Sequence, residues 1–189
     1  MKRLAAWLFA FILRRIDVSR PDFAIDGAPG QGDYLHRWYV TRWRGWFANI
    51  PEGARTRLQR TVAWATKRIG NVYVHRFVGD DPSDILHDHP SIAVSFILFG
   101  AYVEHTIEAG GVHRRRRFSA GALRFMSTRH THRIELLRDA QGRALPCWTL
   151  FFFGPAVREW GFHCPNGWVH WKAFVMPGKP GSVGQGCEP

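Results

Sequence analysis

The chain has 189 residues, 46% of them hydrophobic, and a formal net charge of +11. That is one ordinary domain with enough apolar material for a core, and the arginine-rich balance favours anionic partners without saying anything about fold. Its three cysteines, Cys147, Cys164 and Cys187, are odd in number and form no Cys-x-x-Cys, so neither a disulfide framework nor a zinc knuckle is expected, and a reducing, cytoplasmic setting fits best.

Lys2 and Arg3 precede an apolar run from Leu4 to Leu13, closed by Arg14 and Arg15. A helix needs about twenty apolar residues to cross a bilayer, so no transmembrane segment is expected. No small-x-small cleavage site follows within Ile16 to Pro21. The run reads as a short helix packed on the body or in a homodimer contact, with monotopic membrane attachment as the alternative. Residues 20 to 34 carry Pro21, Gly27, Pro29, Gly30 and Gly32 and read as an irregular arm. Tyr34 to Trp43 has the aromatic and β-branched content of an edge strand, with Arg37 and Arg42 keeping it soluble. Pro51 and Glu52 open a basic helix over 52–69. Its apolar stripe of Leu58, Val62, Ala65 and Ile69 is expected to pack against the body, leaving Arg55, Arg57, Arg60, Lys67 and Arg68 in solvent.

From Asn71 the pattern turns to short strands. Val72 to Val78 alternates around Tyr73, His75 and Phe77, whereas Ile92 to Phe99 is apolar throughout but for Ser95, as a strand buried on both faces would be. Ala101 to Ile107 and Val112 to Phe118 flank the hairpin signal Ala109-Gly110-Gly111. Ala122 to Met126, His132 to Leu137 and Pro146 to Phe153 follow, with a turn at Asp139 to Gly142. Strands at this spacing imply an all-β sandwich or closed barrel. The chain divides into an N-terminal arm with helices (1–70), a barrel with a Trp-rich end (71–176) and a flexible tail (177–189).

His87-Asp88-His89-Pro90 carries the chemistry. Residues two apart in a strand point the same way, so His87 and His89 present two imidazoles to one side. A third imidazole from a neighbouring strand would complete a facial set with open positions on a transition metal, and His132 is the candidate. The spacing resembles the cupin superfamily. His87, His89 and Gly100 fit the first cupin motif, with Ala93 where the motif has Glu. Gly121 and His132 fit the second, with Ser127, Arg129 and Leu136 at its other positions. Trp160-Gly161-Phe162-His163-Cys164-Pro165 looks like a small group of bacterial and phage cupin-like proteins. The resemblance implies an all-β fold, a cupin-type double-stranded β-helix or jelly-roll barrel, here with an N-terminal arm and one helical insertion.

The same resemblance implies a divalent transition metal on His87, His89 and His132, with Fe(II) favoured and Zn, Ni or Mn as alternatives. Glu104, on the next strand, is a further candidate ligand standing in for the missing motif Glu. Arg124, Tyr102 and His75 are the candidate substrate-binding residues: Arg124 as a guanidinium for a carboxylate or phosphate, His75 and Tyr102 by strand face. Arg114 to Arg117, four arginines in one strand, place two on each face, so two approach a core face, pair with acids or border a pocket; the hairpin reads as solvated, with a nucleic-acid stripe shared with the basic helix as the alternative. The expected function is a metal-dependent oxidative enzyme, a dioxygenase, acting on a small, anionic molecule. The alternative is a non-enzymatic module on the same barrel that binds a small ligand or nucleic acid.

Overall fold

A computed structural model describes residues 1–27, 32–43, 46–47, 49–66, 68–81, 83–178 and 182–188. The expectations for Pro29, Gly30 and Lys67, and for tail positions 179–181 and 189, lie outside the described residues.

The strands are β1 (Phe23–Asp26), β2 (Asp33–Tyr39), β3 (Asn71–Phe77), β4 (Ala93–Phe99), β5 (Ala101–Glu108), β6 (Val112–Ser119), β7 (Leu123–Met126), β8 (Arg133–Leu136), β9 (Cys147–Phe153), β10 (Gly161–Cys164) and β11 (Gly167–His170). One antiparallel sheet has the order β1-β2-β3-β9-β4-β7, and a second has β6-β5-β8. His87 extends the second sheet, because it bridges His132 on one side and Phe162 of the β10–β11 hairpin on the other. Backbone bonds secure both bridges: His87 and His132 exchange N–H donors at 2.9 and 3.0 Å, and Asp88 N donates to Gly161 O at 3.0 Å. Two sheets thus face each other as a jelly-roll barrel, which is the fold class expected.

The chain changes sheets between β4 and β5 at Gly100, where φ is +77° and a Cβ would meet Pro146 O at 2.4 Å. Only glycine fits that corner. Gly110 and Gly111 both have positive φ and close the β5–β6 hairpin.

Between the sheets lies a core of Leu35, Phe77, Ile97, Tyr102, Ile134, Leu136 and Cys147. Burial pushes the Cys147 thiol up to about 12. Helix α1 (Lys2–Leu13) covers the outer face of the large sheet, packing Ala5, Leu8, Phe9 and Ile12 against Phe96, Leu98, Trp38 and Trp148. This explains why β4 is apolar on both sides apart from Ser95, with the core on one face and α1 on the other. Each such side chain buried stabilises by roughly 1.5–3 kcal/mol. Leu4, Trp7 and Phe11 of α1 stay exposed. No helix among the described residues is long and apolar enough to cross a membrane.

Several expectations are corrected. The arm contributes β1, and β2 is no edge strand, because it lies between β1 and β3 and ends at Tyr39. Helix α2 runs Arg57–Thr66. Thr56 and Gln59 bond each other's backbone N–H reciprocally, a capping box that starts the helix five residues later than Pro51 and Glu52 suggested. Leu58 and Ile69 are exposed, so the apolar stripe does not bury as expected. All four arginines 114–117 are exposed on the edge strand β6, where, as one of the expected alternatives, two pair with acids: Arg114 with Glu108 and Arg115 with Glu135. The tail is tied down: Cys164 and Cys187 form a disulfide, and Val183 bridges Val175. That disulfide overturns the reading of unpaired cysteines and removes the argument for a reducing compartment built on them.

Candidate metal centre

His87, His89 and His132 meet at one mouth of the barrel, with one ligand atom of each within 4.8 Å of the others. Their rings form a near-equilateral triangle, with centroids 5.1, 5.0 and 5.1 Å apart. His87 and His89 share a side because Asp88 between them points the other way. The buried Asp88 carboxylate accepts from Gly161 N (2.9 Å), Trp168 Nε1 (3.1 Å) and His163 Nε2 (3.1 Å), and pairs with Arg158 (3.1 Å). Strand alternation therefore aims two imidazoles inward and anchors the segment outward.

His132 is oriented from behind. Glu104 Oε1 lies 3.0 Å from His132 Nδ1 and 3.0 Å from His130 Nε2, while Oε2 accepts from Arg124 at 2.5 Å. An ionised carboxylate only accepts, so His132 donates from Nδ1 and turns the lone pair of Nε2 toward the centre. His89 Nε2 lies 2.9 Å from that atom. Two nitrogens about 2.1 Å from one ion at right angles would be about 3.0 Å apart, so the spacing suits a shared metal. The donor set fits the group: three imidazoles, one with its second nitrogen held by a carboxylate, as metal-ligating histidines commonly are. His130, His132 and Glu104 form a second close group that shares His132.

Electrostatics favour ligation. Burial holds His87 and His89 well below the ordinary histidine value, and neighbouring histidines push the same way. Both are therefore neutral at pH 7, the form that can ligate a metal. Burial alone would raise Glu104. Hydrogen bonds from His130 and His132, and the charges of His132 and Arg124, outweigh it and hold the carboxyl well below its usual range. Asp81, 3.7 Å from His87 Nδ1, accepts from Ile134 N, and burial pushes its carboxyl up to about 6.

A cavity of about 400 Å³ opens on the three histidines. Its floor is the inner face of β2, β3 and β9, with Arg37, Tyr73, His75, Phe151 and Phe153. Its far wall is Trp160, Phe162, Trp171 and Phe174 from the C-terminal segment that the disulfide closes.

The structure distributes the other expected site residues differently. Glu104 sits on the far ring nitrogen of His132 and does not join His87 and His89 around one point. Arg124 lies outside the histidine cavity, paired with Glu104 and stacked over Phe118. Tyr102 is in the core between the sheets, where burial raises its phenol, and it lines no part of the cavity. His75 does line the cavity and accepts from Arg37 Nε at 2.9 Å. Sequence reasoning missed Arg37, read as a solubilising charge, although its alternation with core residue Leu35 was the available signal. It also passed over Asp88 as a mere neighbour.

No family model matches the chain, and no curated protein matches it. Among solved structures, the barrel is similar to an RmlC-like cupin protein from Ralstonia eutropha, with 11% identity over 85% of this chain and 84% of that one, at a TM-score of 0.43. It is also similar to oxalate decarboxylase from Bacillus subtilis (12% identity, 85% of this chain, 33% of that one, TM-score 0.45). A DMSP lyase structure matches at 20% identity over 45% of this chain and 38% of that one, with a TM-score of 0.34. The chain spans between 29% and 38% of the length of the first solved structures it matches.

Proposed function

We propose that this chain is a metal-dependent oxidative enzyme acting on a small, anionic molecule, with Fe(II) on His87, His89 and His132. The observation that supports it is the convergence of three imidazoles at the end of an apolar cavity. Fe(II) held there would supply redox chemistry toward dioxygen, whereas zinc on the same imidazoles would not.

The chain's own residues do the remaining work. Glu104 fixes the His132 tautomer, and Asp88 holds the His87–His89 segment against the C-terminal hairpin. Three neutral ligands leave the metal's positive charge uncompensated, which favours an anionic substrate nearby. Trp160, Phe162 and Phe174 wall the cavity and exclude water, so electrostatic interactions inside it are stronger than at the surface.

The test is metal analysis of protein purified without a histidine tag, followed by stripping, Fe(II) reloading and oxygen-uptake assays. Iron binding and substrate-dependent oxygen uptake, both lost in His132→Ala, are expected. A protein that takes up no iron, and whose melting temperature and turnover do not respond to added iron, would make the binding module the correct reading.

A further inference from the structure

Arg37 points into the cavity from β2, and no carboxylate lies within 4 Å of it among the described residues. Its Nε donates to His75 Nε2, so His75 carries its proton on Nδ1, and burial with the Arg37 charge keeps that ring neutral. The guanidinium lies 4.9 Å from the Tyr73 ring centroid and 5.8 Å from that of Phe23. His75 and the two rings thus hold Arg37 by one edge. Its two terminal nitrogens have no hydrogen-bond partner among the described residues. Arg37 is half-buried, and a cation partly withdrawn from water with two free donors is favourably met by an anion.

The floor between Arg37 and the histidines is aromatic. His75 stacks on Phe151 at 4.7 Å, Phe151 on Phe153 at 5.9 Å, and Phe153 stands 6.0 Å from His89. Few polar groups along this row could bond a ligand.

We infer that the cavity binds a carboxylate carried on an aromatic or otherwise apolar body, with Arg37 taking the carboxylate through its two terminal nitrogens. Two parallel donors match two carboxylate oxygens. A phosphate would keep a third oxygen facing apolar wall, which disfavours it. The body lies on Phe151 and Phe153, and the far end reaches His87, His89 and His132. Binding depends only on Arg37 and the aromatic surfaces. That the far end is the reacting end rests on the metal-centre reading above.

The test uses phenylpropionate, its uncharged analogue phenylpropanamide, and propionate. Titration calorimetry and the fluorescence of Trp160 and Trp171 report binding, with chelator and again with added metal. Phenylpropionate should bind about tenfold or more tighter than the amide, as expected for hydrogen bonds to a charged partner. Propionate should bind far more weakly than phenylpropionate. Arg37→Gln should bring the acid down to the amide's affinity, and Arg37→Lys should recover only part of the difference. His75→Gln, whose carbonyl can still accept from Arg37 Nε, should keep the acid preference and serves if Arg37→Gln does not fold. Equal binding of acid and amide, an unchanged ratio in Arg37→Gln, or no binding of either at millimolar concentration overturns the inference. Acid preference in the chelated protein combined with failure to load metal would sink only the metal-centre reading.

Discussion

Replacing Glu104 by Gln and by Ala separates support of a ligand from ligation itself. The carboxylate is buried, receives bonds from His132 and His130, and pairs with Arg124, whose side chain is only 14% exposed. A glutamine keeps one acceptor for the imidazoles but turns an amide N–H₂ toward the guanidinium and leaves that charge unpaired. Breaking a buried pair this way costs about 3–5 kcal/mol, a large share of a total stability of about 5–15 kcal/mol. Urea unfolding of the metal-free protein should show it, and Arg124→Met in the same background should restore most of it. Metal affinity is a separate quantity. Losing the group that orients a ligating histidine typically weakens binding about 10–100-fold, or about 1.4–2.7 kcal/mol, read by calorimetric titration of the stripped protein. The Arg124→Met background should not restore that part. Because glutamine still accepts from His132 Nδ1, the orienting role is tested by Glu104→Ala: wild-type metal affinity there would refute it, and a loss as large as that of His132→Ala would make Glu104 a ligand.

Acid should weaken the metal-free fold. His75, His87 and His89 sit below the ordinary value of 6.5, so below pH 6.5 the unfolded chain takes up protons that the fold does not. Stability should be full above that range and fall below it by up to about 1.4 kcal/mol per pH unit for each histidine; equal urea midpoints at pH 7.5 and 5.5 (about one unit either side of the ordinary histidine value) would contradict this. Asp88→Ala should cost about 3 kcal/mol, because it strands the Gly161, Trp168 and His163 donors, and should loosen metal binding as well. Unfolding curves matching wild type would show that Asp88 anchors nothing. Cys187→Ser opens a loop with a sequence separation of 23, an entropic loss of about 3 kcal/mol. Hydrogen exchange should rise in residues 171–187 while β3 stays protected, and equal exchange at both places would contradict a local brace.

What could be read from the sequence was local. The His87–His89 alternation depends on neighbours two apart, and the Gly110–Gly111 turn on backbone freedom at two positions, so neither needs tertiary information. The jelly roll followed from strand spacing and motif order. Partners chosen across the barrel could not be read this way. Arg124 on β7 and Glu104 on β5 belong to different sheets, and their pairing took Arg124 out of the cavity. Cys164 and Cys187 meet only because the end of the chain folds back beside α3 (Trp171–Phe174). Helix α2 shows the opposite limit: its periodicity identified an apolar face and said nothing about what covers it.

The bridges of His87 also set an order of assembly. Its two neighbours, His132 and Phe162, lie 45 and 75 positions further along the chain, taking 132 − 87 and 162 − 87. Pairings this distant carry a large loop-closure cost and form late. A chain emerging from the ribosome can build β2 against β3 early, but the mouth of the barrel stays unformed until β10 has been made. A nascent chain that stalls before Gly161 therefore presents His87 and His89 on a segment with one neighbour missing and Asp88 without its Gly161 and Trp168 donors. The three-histidine cluster is in this way assembled only after β10 has been made.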